Sequence, residues 1–294
     1  MKYESAQAFR MALEQRLRNN SRSVGTSPVR LRKAVVFDRL LARLMVVAPD
    51  RWVLKGALAL DFRLGARTRT TKDMDLARED DEEAATADFI AAQSVDLGDF
   101  FVFDIEKTRD LGEATGGAIR YRARAELAAR LFEDVVIDVG FSGIRTGKPD
   151  LLRGPELLAF ADIEPAVVPV LPLEQHVAEK VHAYTRSYGR GLASTRVKDL
   201  VDIVLIKSFA TLDADRLAES LHRTFEVRGQ QPVPEALPPP PREWGPAYRK
   251  LANEVGQSPE VAEGHAEAAA LVDPVLAGVA RARWDPVRSA WVEL

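Results

Sequence analysis

The chain has 294 residues and no cysteine, which excludes a disulfide framework, a thiolate metal site and a thiol nucleophile together. Long apolar runs are missing as well. The longest, Leu157–Pro172, is interrupted by Asp162, Glu164 and Pro165, so nothing approaches the roughly 20 apolar residues of a membrane span. The opening residues Met1-Lys2-Tyr3-Glu4-Ser5 lead into an amphipathic pattern instead of a secretory signal, and a cytoplasmic protein is the expectation. Neither sign of charge dominates: the net charge of -3 gives no global attraction to nucleic acid. There is no internal repeat. With 46% hydrophobic and 29% charged residues, the chain has the composition of an ordinary soluble protein with one large core or two smaller ones.

The charges are nevertheless unevenly placed. Acids dominate from Asp73 to Glu113, whereas Arg16–Lys33 and Arg186–Lys198 are basic. A basic stretch is either a solvated helix face or a local grip on phosphates.

Apolar residues at helical spacing predict helices over Ala6–Leu17 and Val29–Val47, the second started by Ser27-Pro28, a cap followed by proline at the first helical position. A short strand at Trp52–Lys55 runs into a helix opened by Gly56 and extending over Ala57–Leu64. Strands follow at Lys72–Leu76, Phe100–Lys107, Ala118–Leu127 and Asp134–Phe141, with a helix at Glu82–Gln93. After Pro165 the pattern turns helical: Leu173–Tyr188, Thr195–Phe209, Leu212–Thr224, Pro246–Val255 and a long helix over Pro259–Arg283. Gln230–Arg242, with prolines at 238–241, reads as an extended surface loop. The expected class is α+β: a mixed α/β domain over 1–168, then a mainly α-helical domain over 169–294.

The informative chemistry is carboxylate. Residues two apart on a strand share a face, so Asp73 and Asp75 project side by side. Like charges so placed call for a cation between them, and hard oxygen donors suit Mg²⁺. Asp138 lies in the apolar strand Val136-Ile137-Asp138-Val139, where an ionised group must be paired or bound to metal. It either pairs with an arginine such as Arg122 or Arg124 or completes a two-metal site for in-line displacement at phosphorus.

Four segments in order resemble the AbiEii-type nucleotidyltransferase toxins, mycobacterial MenT-like toxins among them, within the polymerase-β superfamily. Leu54–Phe62 with Arg69–Leu76 is similar to the family's Lys-Gly-Gly-Thr/Ser helix start and Asp-x-Asp strand. Val135–Val139 resembles the second motif, Gln175–His182 the third and Arg196–Asp202 the fourth. The resemblance implies a polymerase-β-like domain followed by a helical one. Asp73, Asp75 and Asp138 would be metal ligands for two Mg²⁺ ions, and these three acids, Lys180 and Asp202 the catalytic set. Lys55, Gly56, Ala57, Arg69 and Lys72 would bind the phosphates of a nucleoside triphosphate, Lys180 would lie against the triphosphate, and Asp199 would support it. Arg186, Arg190, Arg196 and Lys198 would contact RNA. By spacing alone Lys180 reads as a surface lysine paired with an acid, and His176 and His182 as helix-surface residues.

The implied reaction adds a nucleoside monophosphate to the 3′ end of tRNA, blocking translation, under restraint by a DNA-binding antitoxin. A small-molecule or protein hydroxyl is the alternative acceptor, and a weakly catalytic binding module the alternative to an enzyme. One departure matters: Ala57 and Leu58 stand where the family has its second Gly and its Ser/Thr, so a hydroxyl at the helix N-terminus is lost.

Overall fold

The computed structural model describes residues 1–111, 117–141, 147–186, 196–229 and 231–294. They divide into two compact units between Val170 and Leu171, with Ala66–Arg69 belonging to the second.

The first unit opens with two helices whose ends are written locally. In α1 (Ala6–Val24) the Ser5 hydroxyl accepts from the Ala8 amide, and Phe9, Leu13 and Leu17, four apart, form the buried stripe. In α2 (Pro28–Val47) Ser27 caps the helix and Val35, Val36, Leu40, Leu41 and Leu44 are buried. Then come β1 (Val53–Lys55), α3 (Gly56–Leu64), β2 (Asp73–Ala77) and α4 (Glu82–Gln93). The strands β3 (Phe101–Asp110), β4 (Ile119–Leu127), β5 (Arg130–Gly140), β6 (Asp150–Arg153) and β7 (Val167–Val170) complete the unit. They build one mixed sheet in the order β3-β4-β5-β2-β1-β7-β6. Strand β2 runs parallel to β5 and antiparallel to β1, and β1 runs parallel to β7.

Alternation gives this sheet two unlike faces. Met74 and Leu76, Val135, Ile137 and Val139, and Tyr121, Ala123 and Ala125 point into the core shared with α1, α2 and α4. Their neighbours Asp73, Asp75, Asp138, Arg120, Arg122 and Arg124 point the other way. At one core edge, Arg43 of α2 grips Asp99 through two hydrogen bonds of 2.9 and 2.7 Å, both side chains 1% exposed.

The second unit is built on α5 (Leu173–Thr185), α6 (Val197–Phe209), α7 (Ala214–Arg228), α8 (Gly245–Glu254) and α9 (Val261–Leu276). A three-stranded sheet joins them, formed by β8 (Leu212–Asp213), β9 (Ala282–Asp285) and β10 (Ala290–Glu293) in the order β10-β9-β8. Among the described residues, no helix is long and apolar enough to cross a membrane.

The class is as expected, a mixed sheet with flanking helices followed by a mainly helical region, but three details differ. The helix expected over Pro259–Arg283 stops at Leu276; Gly278 takes a φ of +94° and the chain turns into the β9–β10 hairpin. Trp284 is buried there and donates to the Lys207 carbonyl, a contact that no local periodicity announces. The proline-rich segment is irregular but pinned. Leu237 is buried, its amide donates to Asp273, and the Tyr184 hydroxyl donates to the Pro238 carbonyl. His176 and His182 are buried instead of lying on a helix surface, because α5 is buried on nearly every side.

His182 packs edge-on against Phe225 at 4.9 Å. Burial, helped by the charge of Arg228, pushes its pKa down to about 4 from 6.5. Below pH 6.5 the unfolded chain takes up a proton that the folded chain refuses, so stability is complete above that pH and declines as pH falls towards 4. At pH 5 this amounts to about 2 kcal/mol. The melting temperature of a His182→Gln variant should therefore fall less between pH 7 and pH 5 than that of the parent chain, measured by circular dichroism.

Candidate active site

Strand register assembles the carboxylate site of the first unit. Asp75 of β2 is the direct partner of Asp138 of β5 and also of Lys55 of β1; Asp138 is in turn the partner of Arg120 of β4. Cross-strand partners share a face. One row thus runs over four adjoining strands as Arg120, Asp138, Asp75, Lys55, with charges plus, minus, minus, plus. Asp73 sits two residues from Asp75 on the same face.

Arg120 holds Asp138 through two hydrogen bonds of 2.7 Å each, from Nε and Nη2. The Asp138 hydrogen bond raises the guanidinium pKa, with the charges of Asp73 and Asp75 adding to it. Asp138 therefore pairs with neither Arg122 nor Arg124, the partners considered from sequence. Those arginines engage Asp134 and Glu126. In the β4–β5 register Arg122 and Arg124 stand opposite Val136 and Asp134, and a shift between Ala125 and Glu126 brings Arg120, in place of Ile119, opposite Asp138.

Glycine decides the packing beside this row. Gly56 opens α3 with a φ of +66°, and a Cβ there would lie 2.0 Å from Asp75 Oδ2. No side chain fits without expelling the carboxylate. Gly140, at the end of β5, makes room in the same way: a Cβ there would lie 3.3 Å from the Lys55 amine. Lys55 caps α3 without a side-chain hydrogen bond. Ala57 and Leu58 are buried, and Leu58 joins the apolar core; at the position of the family's hydroxyl this chain has a core residue. Lys72 is exposed, next to Asp73.

The donor set suits a hard divalent cation, since Asp73, Asp75 and Asp138 supply only oxygens from adjoining strands. The fit is incomplete as it stands. Among the described residues no three acidic or imidazole side chains are already gathered for a metal, and both Asp138 oxygens are engaged by Arg120.

The second unit carries a buried charge cluster. Asp202 of α6 is fully buried and accepts from Arg69 at 3.0 and 2.9 Å and from the Lys180 amine at 2.6 Å. Lys180 reaches Asp199 at 3.4 Å and is only 6% exposed, so it is no surface lysine. Burial alone would raise the Asp202 pKa, but Lys180 and Arg69 outweigh it and hold the carboxyl below the ordinary carboxylate range. Arg196 pairs with Asp199 at 3.1 Å, Lys198 is exposed, and Arg186 follows the last turn of α5. Arg190 lies outside the described residues.

Arg120 is the residue that sequence reasoning missed, and Arg69 acquired an ion-pair partner that it did not foresee. The alternating arginines of β4 were the visible signal for the first. Their partners depended on an irregularity of pairing.

Carboxylates on adjoining strands of a mixed sheet, beside a glycine-opened helix, define a nucleotidyltransferase of the polymerase-β type. More specifically, the chain belongs to the AbiEii family of nucleotidyl transferase toxins of type IV toxin–antitoxin systems, whose profile matches residues 39–274. No curated protein matches it. Among solved structures it resembles MenT4, a nucleotidyltransferase toxin of Mycobacterium tuberculosis. The identity is 20% and the TM-score 0.52, over 84% of this chain and 92% of that one. It also resembles JHP933 of Helicobacter pylori, at 15% identity and a TM-score of 0.48, over 83% and 94% of the two chains.

Two substitutions probe the site. Asp202→Asn removes the shared counter-charge of two buried cations and should destabilise the chain by about 3–5 kcal/mol, read from the denaturant midpoint. Arg120→Met releases Asp138 and should tighten Mn²⁺ binding several-fold, read by electron paramagnetic resonance of the free ion.

Proposed function

We propose that the chain transfers a nucleoside monophosphate from a nucleoside triphosphate to the 3′ end of tRNA. The observation that supports transfer chemistry is the row of Asp138 and Asp75, flanked by Arg120 and Lys55, with Asp73 beside it. Family membership supports the toxin role.

In this reading Asp73, Asp75 and Asp138 hold Mg²⁺ in a two-metal site. When bound, the metal supplies positive charge to the reacting phosphate and lowers the pKa of the attacking hydroxyl. Lys55, Lys72 and the first amides of α3, at Gly56 and Ala57, meet the phosphates at a helix N-terminus, where amides and helix dipole favour anions. Arg120 counters the charge on Asp138 until the carboxylate is needed. The acceptor oxygen bonds to the α-phosphorus as the bond to pyrophosphate breaks. Lys180 is the catalytic cation for the triphosphate, and Asp202 and Asp199 aim its amine. Arg69, held by Asp202, lends its charge to the same phosphates. Arg186, Arg190, Arg196 and Lys198 hold the RNA backbone. The enzyme works in the cytoplasm, where its substrates are, and a DNA-binding antitoxin restrains it.

The test is transfer of label from each nucleoside triphosphate, with Mg²⁺ and total tRNA. Label should enter tRNA with the parent chain and fall at least about 1000-fold with Asp73→Ala, as removal of a main stabiliser of transition-state charge does. Transfer undiminished in Asp73→Ala would defeat the assignment of the carboxylates. Transfer only to a protein or a small molecule would keep the chemistry and discard the RNA acceptor.

A further inference from the structure

The proposed chemistry leaves the basic stretch near the N-terminus unused. Between Glu14 and Asp38 the chain has no acid but carries Arg16, Arg18, Arg22, Arg30, Arg32 and Lys33, within a protein of net charge -3. These residues occupy the α1–α2 hairpin. The buried stripe of α1 ends at Leu17, yet the helix continues to Val24, about 10 Å further. From Arg18 to Val24 every residue but Ser21 is exposed. Packing on the core does not account for that extension. Most of the hairpin also precedes residue 39, where the family match begins.

Two contacts tie the hairpin to the carboxylate strand within the same unit. The Lys33 amine donates to the backbone carbonyl of Lys72 at 3.1 Å, one residue before Asp73. Arg30 approaches Asp61 of α3, the helix opened by Gly56, at 3.5 Å. Arg22 is exposed and Arg32 half-buried, and neither makes an ion pair with a described residue, so no described acid offsets their charge. Around them lie Asn19, Asn20, Ser23 and Ser27, all exposed hydrogen-bonding side chains, with Val24 and Val29 also exposed and no aromatic residue. The anchors that dominate protein–protein interfaces are mostly large aromatic side chains, and two separate valines do not supply one. A surface on which cations and small polar groups predominate suits a phosphate backbone.

We propose that the α1–α2 hairpin is an RNA-binding arm that grips the phosphate backbone of the acceptor and leads it to the Asp73 end of the carboxylate strand. The proposal rests on the RNA-acceptor reading above and adds a surface to it.

The experiment compares the full-length chain with the triple variant Arg18→Gln, Arg22→Gln, Arg32→Gln. Binding of a fluorescently labelled tRNA transcript is followed by anisotropy over a range of salt. The variant should bind about 10-fold or more weakly near 0.1 M salt, and its slope of log affinity against log salt should shrink by about 2, three phosphate contacts at roughly 0.7 each. Its melting temperature should stay unchanged, because these side chains are not core residues. Unchanged affinity and slope overturn the proposal while leaving the RNA acceptor intact. Loss of antitoxin binding with RNA binding preserved overturns it in favour of a protein-docking role. If the parent chain itself fails to bind tRNA, the acceptor reading fails and the arm falls with it.

Discussion

Asp75 and Asp138 are direct partners on parallel strands, and like charges placed directly opposite each other destabilise a sheet. Much of the first unit can be understood as accommodating that pair. Arg120 and Lys55 flank it on the next strands out, Gly56 gives Asp75 the room that a Cβ would take, and Gly140 leaves space for the Lys55 amine. On the opposite face Met74, Leu76, Ile137 and Val139 are fully buried. Apolar packing on one face thus holds in place strands whose other face is electrostatically unfavourable. The arrangement is poised for a cation because the repulsion is offset without being removed.

The second unit treats charge differently. Asp202 is buried and satisfied by a bidentate arginine and a lysine amine, so this cluster depends on pairing where the sheet face depends on water and neighbours. Burial fixes the lysine in one geometry, at the expense of leaving each member dependent on the others. A carboxylate three residues earlier on the same helix, Asp199, shares the work. The Asp-x-x-Asp spacing is therefore a helical device: both acids face the same lysine.

Much of this was legible locally. The Asp-x-Asp strand, the apolar strand holding Asp138, the glycine-opened helix and the capped α2 all follow from residue spacing, and the family resemblance followed from the order of the motifs. What escaped was non-local. β7 has four residues, three of them valine and one proline; the valines suit a strand, but nothing local marks β1 as its partner. β9 and β10 are equally short, and they become strands because Trp284 finds a buried place against α6. The histidines of α5 looked superficial because polar residues at helical spacing suggest a wet face, yet neighbouring helices cover that face as well.

The sequence by itself determined which residue types stand on one face of each strand and which helices are amphipathic, because those are properties of a repeat of two or of about 3.6 residues. It also placed the three carboxylates in an order that a nucleotidyltransferase uses. Tertiary structure alone decided who stands opposite whom. The β4–β5 turn is made by Ala128 and Ala129, both with positive φ, which alanine does not advertise. The irregularity at Ala125 and Glu126 then moves the register by one residue. That step puts Arg120 in place of Ile119 beside Asp138, and a one-residue slip in a sheet exchanges the side chains on its two faces.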